Sequence, residues 1–331
     1  MIGVTAQTHA CNSYYFRQIK TSSMLSYEQL ETIATSLGFT AFGCAPAGPV
    51  ASWRAAQWHD YLNAGRHAEM QYLEQHLDKR LDSTLLVEGA KSVVCVALNY
   101  FTEEQFVEGG YTISKYARGR DYHEVMKERL RHFLRQIADL TGNENPGRAF
   151  CDTAPVDEHF WAYRTGLGWL GRNTQLIIPK VGSYCFIGTL ILTEEVDHYN
   201  EPQPNRCGTC TKCIDACPTH ALSATHGLDA RRCLSYLTIE HRGELPDFAS
   251  KALSPCFYGC DRCQDVCPHN RFATPTPCEA FHPSPTLLCQ TADDWHHLTE
   301  ESYRTLFKGS AVKRAKFEGL KRNIAAVQRG K

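Results

Sequence analysis

The sequence predicts a domain of the α/β or α+β class, then a small cysteine-rich module and a short run of C-terminal helices. Three observations predict it. Helix and strand signals alternate from Ser26 to Val196, cysteines at fixed spacings crowd the stretch from Cys207 to Cys267, and two basic helical segments close the chain. A chain of 331 residues has room for a catalytic domain and a smaller accessory one.

Residues 1–23 are polar and aromatic, with Arg17 and Lys20 as the charges and no apolar export core. They are expected to be a disordered or mis-annotated extension, with Met1 and Met24 as the two candidate starts. Ser26 and Gln29 suggest a capping box for a helix to Leu37, ended by Gly38. Phe39 to Ala45 and the apolar Ser92 to Leu98 read as strands, the second one buried. Asp121 caps a long helix whose apolar stripe runs Val125, Met126, Leu130, Phe133, Leu134, Ile137. Arg148 to Cys151 is a short strand and Tyr184 to Thr193 a longer one.

Between them stands Asp152, at a strand end, with a helix expected to start at Pro155. In α/β folds such positions face the ligand crevice. On its own Asp152 reads more readily as a helix cap or structural acid than as a catalytic group. Gly166, Gly168 and Gly171 follow, where backbone is expected to approach a flat cofactor closely. Their G-x-G-x-x-G spacing comes after a helix and not between strand and helix, which speaks against a dinucleotide fingerprint. The Pro-rich stretch 200–205 links the first domain, 24–199, to the cysteine module, 200–275. The remainder, 276–331, carries helices over about 299–307 and 311–328.

Cys207, Cys210, Cys213 and Cys217 stand as C-x2-C-x2-C-x3-C-P, and Cys260, Cys263 and Cys267 as C-x2-C-x3-C-P. This is the bacterial-ferredoxin spacing, in which three thiolates hold one cubane cluster and the fourth reaches the other. The second run lacks one cysteine, and Cys233 is placed to supply it. One 4Fe–4S cluster is therefore assigned to Cys207, Cys210, Cys213 and Cys267. The other takes Cys217, Cys233, Cys260 and Cys263. Zinc knuckles prefer paired C-x2-C units, and disulfides need an exported chain. The scattered cysteines read mostly as buried thiols.

No run of 18 apolar residues exists, so a soluble chain without a membrane partner is expected. Net charge is −1, which argues neither for nor against a polyanion. From residue 301 to 331, however, nine lysines and arginines face two glutamates. That local basic patch fits a nucleic-acid contact or an ordinary solvated helix face.

Six segments occur in fixed order around the cysteine runs. They are M-x-Y-L…R-x-D (Met70, Tyr72, Leu73, Arg80, Asp82), Y-A-R-G-R-D-Y-H (Tyr116–His123) and D-T-A-P-V-x-E (Asp152–Glu158). Then come G-L-G-W-L-G-R-N-T (Gly166–Thr174), C-L-S-Y-L-T-I-E (Cys233–Glu240) and Y-G-C-D-R-C-Q-D-V-C-P-H-N (Tyr258–Asn270). Together, from about Met24 to Asn323, they resemble the epoxyqueuosine reductases, cobalamin-dependent iron–sulfur enzymes that complete the queuosine base of tRNA.

The resemblance implies a base-off cobalamin between the first domain and the ferredoxin-like module. It implies Asp152 as the acid that donates a proton as epoxyqueuosine becomes queuosine at the wobble position. Arg80, Asp121, Tyr122, His123, Glu158, Ser235, Cys260 and Asp261 match positions lining or near the corrinoid, and the cysteines match the same two crossed sets. The substrate would be a tRNA anticodon stem-loop with its modified base turned into the pocket. An external low-potential electron donor, a cytoplasmic setting and a monomer are expected. For Asp152 to act it must be protonated, which a desolvated site would favour.

Lys313, Lys316 and Lys321 fall within reach of one face of the last helix, close enough to track an RNA backbone. Family members often continue past Arg322–Asn323 into helical repeats, so RNA binding here is expected to rest on the basic helices or on a partner. Two rival readings stand beside this one. A corrinoid reductive dehalogenase usually carries a twin-arginine start and a tyrosine donor, whereas this chain shows Asp152 and no such start. A pure electron-transfer protein would leave Arg80 and Asp152 structural.

Overall fold

The computed structural model describes residues 24–330; the stretch 1–23, read above as an extension, lies outside the described residues. Its first domain is organised by the strand Ser92–Asn99, which is buried at every position. This is β2 of a four-stranded sheet with β1 (Ala41–Pro46), β3 (Gly147–Phe150) and β4 (Cys185–Leu192), in the order β1-β2-β4-β3. All three pairings are antiparallel, so the domain is α+β, and the crevice rule of parallel sheets does not govern Asp152.

Alternate residues of β2 serve two cores, as the period of two requires. Val94, Val96 and Leu98 pack with Leu30 of α1 (Tyr27–Ser36) and with Met126, Leu130 and Phe133 of α2 (Tyr122–Thr141). Val93, Cys95 and Ala97 pack with Phe160, Trp161 and Ala162 of α3 (Glu158–Arg164). Asp121 caps α2 by accepting the His123 N–H, and Gly142 ends it at φ +64°.

Two local expectations change. The helix expected from Pro155 begins at Glu158, because Asp157 is the residue that caps it, accepting the Phe160 N–H at 3.2 Å. Gly166 and Gly168 serve packing of chain on chain, whereas Gly171 lines a large cavity. A Cβ on Gly168 would stand 2.1 Å from the Ile177 carbonyl, inside the ladder that pairs Trp169–Leu170 with Leu176–Ile177. One on Gly166, at φ +75°, would meet the Glu201 carbonyl of the linker at 2.8 Å.

The last third is tied to the first domain through a parallel pairing of Cys256–Tyr258 with Thr112–Ile113. Trp295, Phe307, Leu320, Ile324 and Val327 form a third core with Leu237 and Phe257. Leu237 belongs to α4 (Leu234–Ile239), and the terminal helix is α5 (Lys316–Arg329). The helix expected over 311–328 is therefore broken: Ala311–Ala315 is a 3-10 turn, and Lys316 sits at φ +61°. Among the described residues no helix is long and apolar enough to cross a membrane.

Candidate functional site

Two four-residue helices, Lys212–Asp215 and Arg262–Asp265, carry the two cysteine runs and pack against each other. The packing crosses the runs. Burial raises the Cys267 thiol, and Cys207 and Cys210 raise it further; Cys213 is raised by burial and then by Cys207 and Cys267. On the other side Cys217 adds to the burial of Cys233, and Cys233 in turn raises both Cys260 and Cys263. These couplings run between members of each set read from the spacing, but Cys256 also acts on Cys260 and Cys213 on Cys263, so they do not by themselves divide the thiols into two groups of four. Burial pushes Cys260 up to about 12, so such a thiol gives up its proton readily only to a metal centre. Cys233 caps α4, whose Ser235 and Tyr236 amides favour its thiolate.

A cavity of about 1180 Å³ opens between this module and the sheet domain. That exceeds the roughly 300–1,000 Å³ of ordinary small-molecule pockets, and it suits a macrocycle. Cys217, Cys233, Cys260 and Cys263 line it, whereas Cys207, Cys210, Cys213 and Cys267 do not. Trp53, Trp58, Tyr61 and Tyr122 supply aromatic walls, and Arg80, Asp152, Glu158 and Ser235 supply polar ones. Arg80 is buried, donates to the Val156 carbonyl at 3.3 Å and lies 5.0 Å over the Trp58 ring. Its Nε, and Oε1 of Glu158, have no hydrogen-bond partner among the described residues. Both residues line the cavity, but these two atoms are themselves shut off from it by the surrounding protein.

Asp152 follows β3 in a left-handed turn, φ +55°. Its N–H donates to Oε2 of Glu158 at 2.8 Å, and its carboxylate accepts the Tyr122 hydroxyl. His123 Nε2 lies 3.6 Å from the same carboxylate, while its Nδ1 lies 2.7 Å from Oδ1 of Asp121. The Asp152 side chain is 62% exposed because it opens onto the cavity, although packed groups crowd its recess. That crowding would raise its pKa, but the hydrogen bonds from His123 and Tyr122 outweigh it and hold the carboxyl below the usual range. Burial would lower His123, yet Asp121 and Asp152 push it up to about 9. Burial and the Asp152 charge push Glu158 up to about 8. At neutral pH the protons therefore sit on His123 and Glu158, beside an ionised Asp152. Neighbours that lie elsewhere in the sequence thus decide the charge on Asp152, and the proton it needs for reaction must come from them or from added desolvation.

The other expected residues are placed as follows. Asp121 and His123 do not line the cavity: His123 reaches Asp152, and Asp121 holds His123. Asp261 is buried, accepting from the Ser114 hydroxyl and the Lys115 amide, so it is anchored in the protein. In the basic tail Lys313 and Lys316 are exposed, on either side of the break before α5. Lys321 is turned inward, donating to the His296 carbonyl at 2.8 Å, so the three lysines do not share one free face. Arg314 is paired with Glu240, and Arg322 donates to three backbone carbonyls.

A family profile described as epoxyqueuosine reductase QueG, DUF1730, matches residues 80–153, and one described as a 4Fe-4S double cluster binding domain matches 206–270. The epoxyqueuosine reductase of Cellulophaga algicola is 45% identical over 291 residues, covering 88% of this chain and 94% of that one. The chain belongs to the epoxyqueuosine reductase family. Its relative from Leadbetterella byssophila is 44% identical, covering 91% and 98% of the two chains. The solved epoxyqueuosine reductase of Streptococcus thermophilus superposes with a TM-score of 0.82 at 26% identity, over 92% of this chain and 80% of that one. An epoxyqueuosine reductase structure holding an epoxyqueuosine-modified tRNA stem loop gives the same values.

Some residues of this family member escaped the sequence reading. Arg54 and Trp58 both hold the buried Asp157 carboxylate, at 2.6 Å each, and so fix the start of α3 beneath the cavity. Nothing local links them to a residue about a hundred positions away. The W-R-x-x-x-W pattern of Trp53, Arg54 and Trp58 on one helix was the available signal. Tyr72 was quoted only as part of a motif. It is 46% exposed, and its hydroxyl senses Glu240, Arg314, Asp152 and Arg80, so it lies between the basic tail and the acid site.

Proposed function

We propose that this chain reduces epoxyqueuosine to queuosine in the anticodon loop of tRNA, with two cubane clusters and a cobalamin as its redox centres. One observation carries the reading. A single cavity has the thiols of Cys217, Cys233, Cys260 and Cys263 on one wall and a proton-loaded carboxylate site on another. Electrons and protons can meet in that volume. The reaction needs both: two electrons and two protons convert the epoxide to an alkene and release water.

The cavity volume, the aromatic walls and the chemistry of the thiols all suit a corrinoid. Arg80, Tyr122 and Ser235 would hold it. When bound, its cobalt supplies the one-electron chemistry that cleaves a carbon–oxygen bond. The protein's own residues manage the protons. Asp152 faces the cavity and presents a proton to the departing oxygen. His123, as a cation 3.6 Å away, and neutral Glu158 replenish it. Filling the cavity adds desolvation, the largest influence on Asp152, and moves it toward its acid form.

Lys313 and Lys316 would contact phosphates, and the exposed Tyr72 ring would offer a stacking face to an unstacked base. Relatives at 34–45% identity are named epoxyqueuosine reductases, which favours this substrate over a halogenated one. A simple electron carrier would have no use for the acid site. Anaerobic reconstitution with iron, sulfide and cobalamin, then incubation with tRNA bearing epoxyqueuosine, tests the reading. Nucleoside mass spectrometry should show queuosine. Corrinoid-loaded protein that leaves epoxyqueuosine unchanged would refute it, and protein that takes up no corrinoid would return it to the carrier class.

A further inference from the structure

This inference rests on the proposed function, which requires single electrons from outside. The thiols of Cys217, Cys233, Cys260 and Cys263 line the cavity, so electrons must arrive through the other set, Cys207, Cys210, Cys213 and Cys267. Next to Cys267, Val266 and Phe272 are 36% and 41% exposed. Arg271 lies 4.6 Å over the Phe272 ring. Arg206, just before Cys207, lies 6.0 Å over Trp169, and Trp169 meets His269 edge-on at 4.8 Å. Lys212 is exposed on the short helix packed against Arg262–Asp265. Arg206, Lys212 and Arg271, like Val266 and Phe272, thus each stand within a few positions of a member of one thiol set. The acids nearby are engaged: Asp265 is held by Lys115 and Tyr184, each at 2.6 Å, and Asp215 by Thr211 at 2.7 Å.

We propose that Val266 and Phe272, with Arg206, Lys212 and Arg271, form the docking face for a small acidic iron–sulfur carrier protein that delivers electrons singly. Charge complementarity identifies the partner's sign, and a cubane acceptor matches a one-electron, low-potential donor. An apolar centre of two side chains suits the small, short-lived interfaces of electron-transfer encounters.

The test uses the chain with both clusters loaded and a photoreduced acidic ferredoxin, following the bleaching of cluster absorbance in stopped flow. Reduction by dithionite runs in parallel. Wild-type reduction by ferredoxin should slow steeply with salt. Lys212→Glu with Arg271→Glu should lower the low-salt rate by at least about tenfold and flatten its salt dependence. Lys212→Gln with Arg271→Gln should give a smaller loss of the same kind. Iron content, dithionite reduction and dithionite-driven turnover should stay unchanged. An unchanged ferredoxin rate in the double variants overturns the proposal, as does wild-type protein that accepts no electrons from ferredoxin. Lost tRNA affinity with an intact ferredoxin rate would assign the face to RNA instead. Failure of dithionite-driven turnover in wild type would sink the proposed function alone, since the reduction rates would still report on docking.

Discussion

Asp152 holds its left-handed backbone only through its neighbours, and asparagine adopts that conformation as readily as aspartate. Asp152→Asn therefore keeps the turn and removes the acid. It should retain corrinoid while turnover falls about 100- to 10,000-fold, as lost general acids do. Near-normal turnover would leave Asp152 a structural residue. The same cluster predicts a pH dependence. His123 binds its proton up to about 9 in the fold, against an ordinary 6.5, and Glu158 up to about 8 against 4.5. Both groups hold more protons folded than unfolded, so stability falls as pH rises. The His123 contribution is complete below 6.5 and gone once pH passes about 9. The melting temperature should thus decline between those limits, and turnover should fall on the same alkaline side as the proton stores empty. His123→Gln should flatten the upper part of the melting profile. An unaltered profile would remove His123 from the proton account.

At the scale of elements, Cys233 is at once the cap of α4 and a member of the inner thiol set. Cys233→Ala should cut the iron of anaerobic protein from about eight atoms to about four, since one cubane loses a ligand. A full iron load with unchanged spectra would refute the crossed assignment. The terminal helix separates two kinds of lysine. Replacing Lys313 and Lys316 with glutamine should weaken tRNA binding and reduce the salt slope by about 1.4 to 1.8, near 0.7–0.9 per phosphate contact. Lys321→Met should instead cost about 1 kcal/mol of stability, one hydrogen bond, with tRNA affinity and salt slope unmoved. The opposite pattern would restore Lys321 to the RNA surface.

Across the whole molecule, the cavity lies between the sheet domain and the cysteine module, so its occupant touches both. Cobalamin should therefore raise the melting temperature by mass action, about 2.7 kcal/mol at a hundredfold excess over its Kd. Arg80→Met should weaken that effect while leaving iron content alone, because the cysteines are carried by other elements. A cobalamin response equal to wild type would show that Arg80 only packs against Trp58. The domains also share structure, through the pairing of Cys256–Tyr258 with Thr112–Ile113 and a core joining Tyr111 and Ile113 to the C-terminal helices. Composition and linker signals mark where the chain changes character, but they do not report a bridge between strands some 140 residues apart.

Much of this chain was legible from spacing alone. The spacing within the cysteine runs, the caps at Ser26 and Asp121 and the buried strand Ser92–Asn99 depend on residues a few positions apart, where helix, turn and strand geometry make sequence distance a measure of real distance. The motif Asp152–Glu158 was likewise visible, and so was the basic character of the tail. What the tertiary structure alone decided are the states of those residues. The charge on Asp152 is set by Tyr122 and His123, the direction of Lys321 by the carbonyl of His296, and the start of α3 by Arg54 and Trp58. Hydrogen bonds and desolvation act over a few ångströms of space, and a sequence does not state which distant residues the fold will bring within that range.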